Sequence, residues 1–202
     1  AQATGTLIIE NSFAATTINS TTAAGGLVGH AASAVSVSQS YADCYLAALV
    51  TGGLVGTTTG SGGLTLSDSY AAGYQTTNSA AGFVAGYLTK ATNSYSACAY
   101  LGTPQAVYTT ANTSTSIATD IKNVFYLTSG LDGKQHTDIT GTTGGRSYAE
   151  MIAAQFLTDL GSSAFTAASA DTTPPYNLLG QGLSTYSYPR LVNLSHYGDW
   201  QA

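Results

Sequence analysis

Apolar and polar positions along this chain alternate in short runs, and the runs recur. "IENSFA" (9–14) returns as "VSQSYA" (37–42), "LSDSYA" (66–71), "ATNSYS" (91–96) and, more loosely, "IKNVFY" (121–126). Alternation with a period of two is the pattern of a β-strand. The aromatic of each run falls at Phe13, Tyr41, Tyr70, Tyr95 and Phe125, at spacings of 28, 29, 25 and 30 residues. Each of the first three runs is followed by a second phrase: "AAGGLVGH" (23–30), "VTGGLVGT" (50–57) and "AAGFVAGY" (80–87). Two phrases repeating in register at a period of about 20 to 50 residues are the signature of a solenoid, whose units bury their apolar face only when a neighbour stacks on them.

The predicted fold is therefore all-β: a right-handed parallel β-solenoid of four to five coils over 1–126, with a capping region packed on it over 127–202. A strict period of two puts Ile9, Asn11 and Phe13, with their counterparts in later coils, on one inward face. Rings would then stack in the lumen about 4.8 Å apart. Beside them Asn11, Gln39, Asp68, Asn93 and Asn123 form an amide ladder. The intervening Ser and Ala residues face outward, and glycines turn the corners by positive φ or by tolerating close backbones.

The cap is expected to hold one short α-helix of about three turns. "SYAE" (147–150) is a capping box, Met151, Ile152, Phe156, Leu157 and Leu160 form an apolar side, and Gly161 ends the run. "TGTTGGRS" reads as the loop into this helix, and "TTPPYNLLGQGLSTYSYPRLVNL" as extended segments along the edge or flank of the stack. Cys44 and Cys98 each lie three residues past a column aromatic, with Gly73 at the equivalent place between them. Two rungs separate them by about 9.6 Å, beyond the reach of a disulfide, so free thiols are expected.

Composition changes the picture on the functional side. Charged residues are 7% of the chain, against roughly a quarter in ordinary soluble domains, so hydroxyls must solubilise this surface. With five Lys and Arg and a net charge of −5 there is no basic stripe for nucleic acid or an anionic membrane. No apolar run reaches the 18 or so residues of a membrane span. The pattern is already running at "GTLIIENSFA", which gives the expectation of a monomeric fragment of a longer polypeptide. Low Lys, high Thr, Ser and Tyr and few Cys read as an exported bacterial surface protein, extracellular or secreted.

"GGLVG" combined with "NSFA", "QSYA", "DSYA" and "NSYS" resembles the GLUG-motif repeats of bacterial adhesins and other large surface proteins, over roughly 5–126. The pattern departs at "AAGFVAG" and around "LGTPQAVYTT", which has no glycine phrase. "LSTYSYPRLVNLSHYGDW" is similar to segments that close such arrays in gut-commensal Gram-positive surface proteins. The resemblance implies an extracellular module for display or attachment and supplies neither a ligand nor catalytic residues.

The residues themselves point the same way. The ten acidic residues show no pair at a spacing that converges on a pocket, and His30, His136 and His196 have no metal-ligand spacing. "GLDGKQHTD" lacks the alternating carboxylates of a calcium loop, and the threonines do not fall at one strand position from coil to coil. No enzymatic activity, cofactor or metal is expected; a glycan-active enzyme and an ice-binding surface are the lesser alternatives. Tyrosines offer large rigid contact area, and Tyr45, Tyr74, Tyr87, Tyr100 and Tyr108, outside the aromatic column, are the candidate ligand-binding residues. The expected function is non-catalytic binding of a host protein, such as an immunoglobulin or a matrix or mucus component, or of a glycan. The alternative is a structural stalk.

Overall fold

The computed structural model describes residues 5–58, 63–76, 79–85, 88–101, 106–108, 120–127, 142–167 and 188–194. They form a parallel β-solenoid. The first turn is β1 (Leu7–Glu10), β2 (Phe13–Asn19), β3 (Ala23–Gly25) and β4 (Val28–Ala31). The second is β5 (Val35–Ser38), β6 (Tyr41–Ala47), β7 (Val50–Gly52) and β8 (Val55–Thr58). The third is β9 (Leu64–Ser67), β10 (Tyr70–Thr76), β11 (Ser79–Ala81) and a bridge from Val84 to Val55. A fourth turn contributes β12 (Leu88–Leu101) and β13 (Ala106–Tyr108), and a fifth only β14 (Asp120–Leu127). Among the described residues there are thus three complete turns followed by two partial ones, where the repeat count suggested four to five coils.

Register follows the sequence columns. Phe13 pairs with Tyr41, Tyr41 with Tyr70, Tyr70 with Tyr95 and Tyr95 with Phe125, all in parallel strands. The rings of Phe13, Tyr41, Tyr70 and Tyr95 are stacked, with centroids 5.3, 4.8 and 4.9 Å apart. The column is real, but it does not fill the lumen. Val35, Val37, Ala42, Cys44, Leu46, Leu64 and Leu66 pack together inside the coils, whereas Tyr41, Tyr70, Tyr95 and Phe125 belong to a second core outside them.

The cause is one residue per turn. Asn11, Gln39, Asp68, Asn93 and Asn123 all have positive φ, between 44° and 54°. A left-handed residue bends the chain and resets which face the alternating side chains take, so the inward set before it (Val35, Val37) and after it (Ala42, Cys44, Leu46) is out of phase by one. Asn and Asp tolerate this conformation better than other non-glycine residues. The amides thus serve as corners. Asn93 Nδ2 donates to Asp68 Oδ1 at 3.2 Å and Asn123 Nδ2 to Asn93 Oδ1 at 3.0 Å, so the expected ladder forms there, half-buried at the bend.

The serines that the period-two reading turned outward are inside. Ser40, Ser69 and Ser94 are buried, and each hydroxyl donates to the carbonyl two residues back, of Ser38, Ser67 and Thr92, at 2.7 Å. The same oxygens accept the backbone N–H of the serine one turn earlier: Ser12 to Ser40, Ser40 to Ser69 and Ser69 to Ser94, at 3.1, 3.1 and 3.2 Å. The hydroxyl satisfies the donor that the bend takes out of the strand ladder.

At the glycine corners crowding decides. A Cβ on Gly52 would lie 2.1 Å from the Val55 carbonyl oxygen, and one on Gly53 would lie 2.3 Å from that of Gly82. Among the described glycines only Gly73 and Gly161 have positive φ. Gly73 sits between Cys44 and Cys98 in register, and both cysteines are free and buried.

The stacked sheet continues past 126: β15 (Thr142–Arg146), a segment expected as a loop, pairs in parallel with β14. The single helix expected next is two, α1 (Tyr148–Met151) and α2 (Ala154–Leu160). The Ser147–Glu150 capping box is present, and Gly161 closes α2 in the left-handed conformation. On one continuous helix Met151 and Phe156 would point about 140° apart; the break at Ala153, which is extended, lets both bury against the aromatic column. The antiparallel pair β16 (Phe165–Thr166) and β17 (Arg190–Leu191) completes the described cap.

Candidate functional site

The outer face of β6, β10, β12 and β14 is where the two parts of the molecule meet. Phe156 of α2 packs edge-on against Tyr95 and Phe125, with centroids 5.6 and 5.3 Å away, and Phe165 and Tyr188 lean on Tyr95 at 5.9 and 6.2 Å. The Tyr95 hydroxyl donates to the Pro189 carbonyl. Burial pushes the phenols of Tyr70 and Tyr95 well above their ordinary range, so they stay neutral donors at any physiological pH. Arg146 lies over the Phe125 ring, 4.8 Å from its centroid, and pairs with Asp159 at 3.4 Å. Asn123 Nδ2, at the top of the amide ladder, also donates to the Leu160 carbonyl at 3.4 Å, one of the acceptors a helix end leaves open.

Under the cap lies a cavity of about 20 Å³ lined by Asp43, Tyr70, Ala72, Tyr95, Tyr188, Pro189 and Arg190. That is the scale of one water molecule, far below the few hundred Å³ of a small-molecule pocket. Asp43 is its chemical anomaly. In register it stands with Ala15, Ala72 and Ala97, so one turn writes a carboxylate where the others write a methyl. It is 5% exposed, and among the described residues no hydrogen bond or ion pair reaches it. Desolvation raises its pKa from 3.8 to about 7. The sequence carried the signal, a single Asp in an alanine column, but the column's burial became visible only once the cap was in place.

The tyrosines proposed from sequence are not gathered into one exposed patch. Tyr45 and Tyr74 are neighbours in one row, in register with each other and with Thr17, on the same outer face as the aromatic column. Tyr45 is half-buried, but Tyr74 is only 3% exposed, which removes its ring from a free binding surface. A repeat read coil by coil does not show that burial. Of Tyr100 and Tyr108 only the strand positions, on β12 and β13, are described. Tyr87, His136 and His196 lie outside the described residues.

Burial raises the thiols of Cys44 and Cys98 to about 12 and about 11, so neither is a nucleophile near neutral pH. Among the described residues no three His, Cys, Asp or Glu side chains stand close enough to hold a metal ion, and no helix is long and apolar enough to cross a membrane. No family model, curated protein or solved structure matches the chain.

Proposed function

We propose that this chain is a non-catalytic binding module of an exported bacterial surface protein, of the GLUG-repeat adhesin kind, and that its ligand is a host protein such as an immunoglobulin or a matrix or mucus component. The observation that carries the reading is the construction of the outer surface. The stack of parallel strands in register belongs to a chain with only 7% charged residues, Tyr45 stays half-buried on its outer face while Tyr41, Tyr70, Tyr74 and Tyr95 are covered, and the described cavity beneath the cap is too small for a substrate. Such a surface recognises by flat, uncharged contact area, for which tyrosine with Ser and Thr around it is the economical chemistry. Tyr45 is the described tyrosine best placed to contribute.

The hydrogen-bonded columns running from turn to turn favour a second reading, a stalk that holds another domain away from the cell. Retention experiments separate the two. Immobilised chain is exposed to serum, mucus and matrix extracts; a binding module retains a defined component that Tyr45→Ala weakens, whereas a stalk retains nothing above an unrelated solenoid.

A further inference from the structure

Asp43 gives the contact between stack and cap something that the alanines of its row cannot, a charge that depends on pH. The cap segment concerned is 188–191, in which Tyr188 and Pro189 lead into β17. With β16 it forms an antiparallel sheet of its own, two residues per strand, outside the parallel ladder of the stack. A two-stranded ribbon is marginal in water by itself. This one is held on the ring column by packing: Tyr188 lies against Tyr95 and Tyr148 at 6.2 and 5.6 Å, and Phe165 against Tyr95 at 5.9 Å. The bond from the Tyr95 hydroxyl to the Pro189 carbonyl adds one polar tie.

Asp43 and this segment share the walls of the water-sized cavity. While the segment is seated the carboxyl is buried; once it lifts, the carboxyl meets bulk water. An ionised carboxylate therefore favours the lifted state. Arg190 lines the same cavity, yet no ion pair joins it to Asp43. The other titratable groups around Asp43 are phenols and thiols. Tyr41 and Tyr45 flank it on β6, Tyr70 and Tyr74 stand on β10, Tyr95 on β12 and Tyr188 in the cap; the neighbouring β2 presents Ala15. Cys44 and Cys98 lie behind it in the lumen core, their thiols raised to about 12 and about 11. Phenols ordinarily titrate near pH 10, and burial pushes Tyr70, Tyr95 and Tyr188 higher still. Of the kinds of group assembled here, only a carboxyl changes charge between pH 4 and 8.

We propose that residues 188–191 form a pH-sensitive strap, seated on the tyrosine column while Asp43 is protonated and lifting more readily once Asp43 is ionised, so that water reaches the carboxylate and the rings of Tyr70 and Tyr95 are uncovered. Seated, the carboxyl titrates at about 7; lifted, it returns toward 3.8. Opening is thus least below about pH 4, grows about tenfold per pH unit as pH rises between the two values, and is level above about pH 7. The strap works in the same way whatever the uncovered rings bind.

Amide hydrogen exchange on the full chain, corrected for the intrinsic rate at each pH, tests this. The reporter is the Val192 N–H, which donates to the Ala164 carbonyl at 2.8 Å within the ribbon. Off the rings, a ribbon this short does not hold. The expected result is protection of Val192 that falls about tenfold per pH unit between pH 5 and 7, and that stays below the protection of the β6 and β10 amides at every pH. Asp43→Asn, which keeps the shape without the charge, and Asp43→Ala, the residue of the row, should both give a flat profile. A flat wild-type profile, or variants that keep the wild-type slope, would overturn the proposal. So would Val192 exchanging only together with the β6 and β10 amides, since the opening would then be global unfolding. Protection that rises with pH would also overturn it, because Arg190 would then have crossed the cavity to pair with the carboxylate.

Discussion

Replacing Asp43 by alanine, the residue its column uses at Ala15, Ala72 and Ala97, is expected to stabilise the protein at neutral and alkaline pH. Asp43 is buried under the cap, and its pKa rises from 3.8 to about 7 through desolvation. A raised folded-state pKa means that the native state holds its proton more tightly than the unfolded chain. Stability from this group is therefore fully present below about pH 4, is lost as pH climbs toward 7, and is level above. Roughly three pKa units at 1.36 kcal/mol each give a cost of about 4 kcal/mol for holding the ionised carboxylate at pH 8. Because the group is 5% exposed, little of this is screened by solvent. Alanine removes the cost and leaves a small void, so the net gain at pH 8 is about 2 to 4 kcal/mol. Denaturant midpoints from pH 4 to 8 measure it: the wild type should lose stability across that window, and Asp43→Ala should lose much less. A variant no more stable than wild type at pH 8, with the same pH slope, would refute the burial of an unpaired carboxylate beneath the cap.

Other consequences are open to direct measurement. Ser69→Ala should cost about 1 to 3 kcal/mol in urea unfolding, because it leaves the Ser40 N–H buried without its acceptor. Gly73 has φ 97°, and a Cβ there would lie 2.3 Å from the Cys44 carbonyl oxygen. Gly73→Ala should therefore lower stability by more than about 2 kcal/mol, read from the same unfolding curves. Cys44 and Cys98 should resist a thiol reagent at pH 8 in the native state and both react after denaturation; rapid native labelling would contradict their burial. Phe156→Ala should detach α2 from the ring column, seen as faster hydrogen exchange in β14 and a loss of about 3 kcal/mol.

The columns were legible in the sequence because stacking in register forces like residues over like: the five aromatics, the amides and the Cys44–Gly73–Cys98 row fall where their spacings put them. The inside and outside of the coil were not, and the reason is local. Period-two reading assumes unbroken extended backbone, and a single left-handed residue at Asn11, Gln39, Asp68, Asn93 and Asn123 shifts the phase. The clue was there, since an amide or aspartate just before serine is a familiar bend, but an amide ladder and an amide corner require the same residue types. The divided helix had no such signal: the extended Ala153 between the two helices lets Met151 and Phe156 enter one buried cluster with the ring column. The burial of Tyr74, 3% exposed beside a half-buried Tyr45 in the same row, has no signal in the strand pattern either.

The central claim is that a left-handed corner in every turn rotates the ring column out of the lumen and onto the cap. NMR contacts of the Tyr95 ring test it most directly. The account predicts cross-peaks from that ring to Phe156, Phe165 and Tyr188. Cross-peaks instead to the lumen side chains Val37, Leu66 and Val84, with none to the cap, would contradict it.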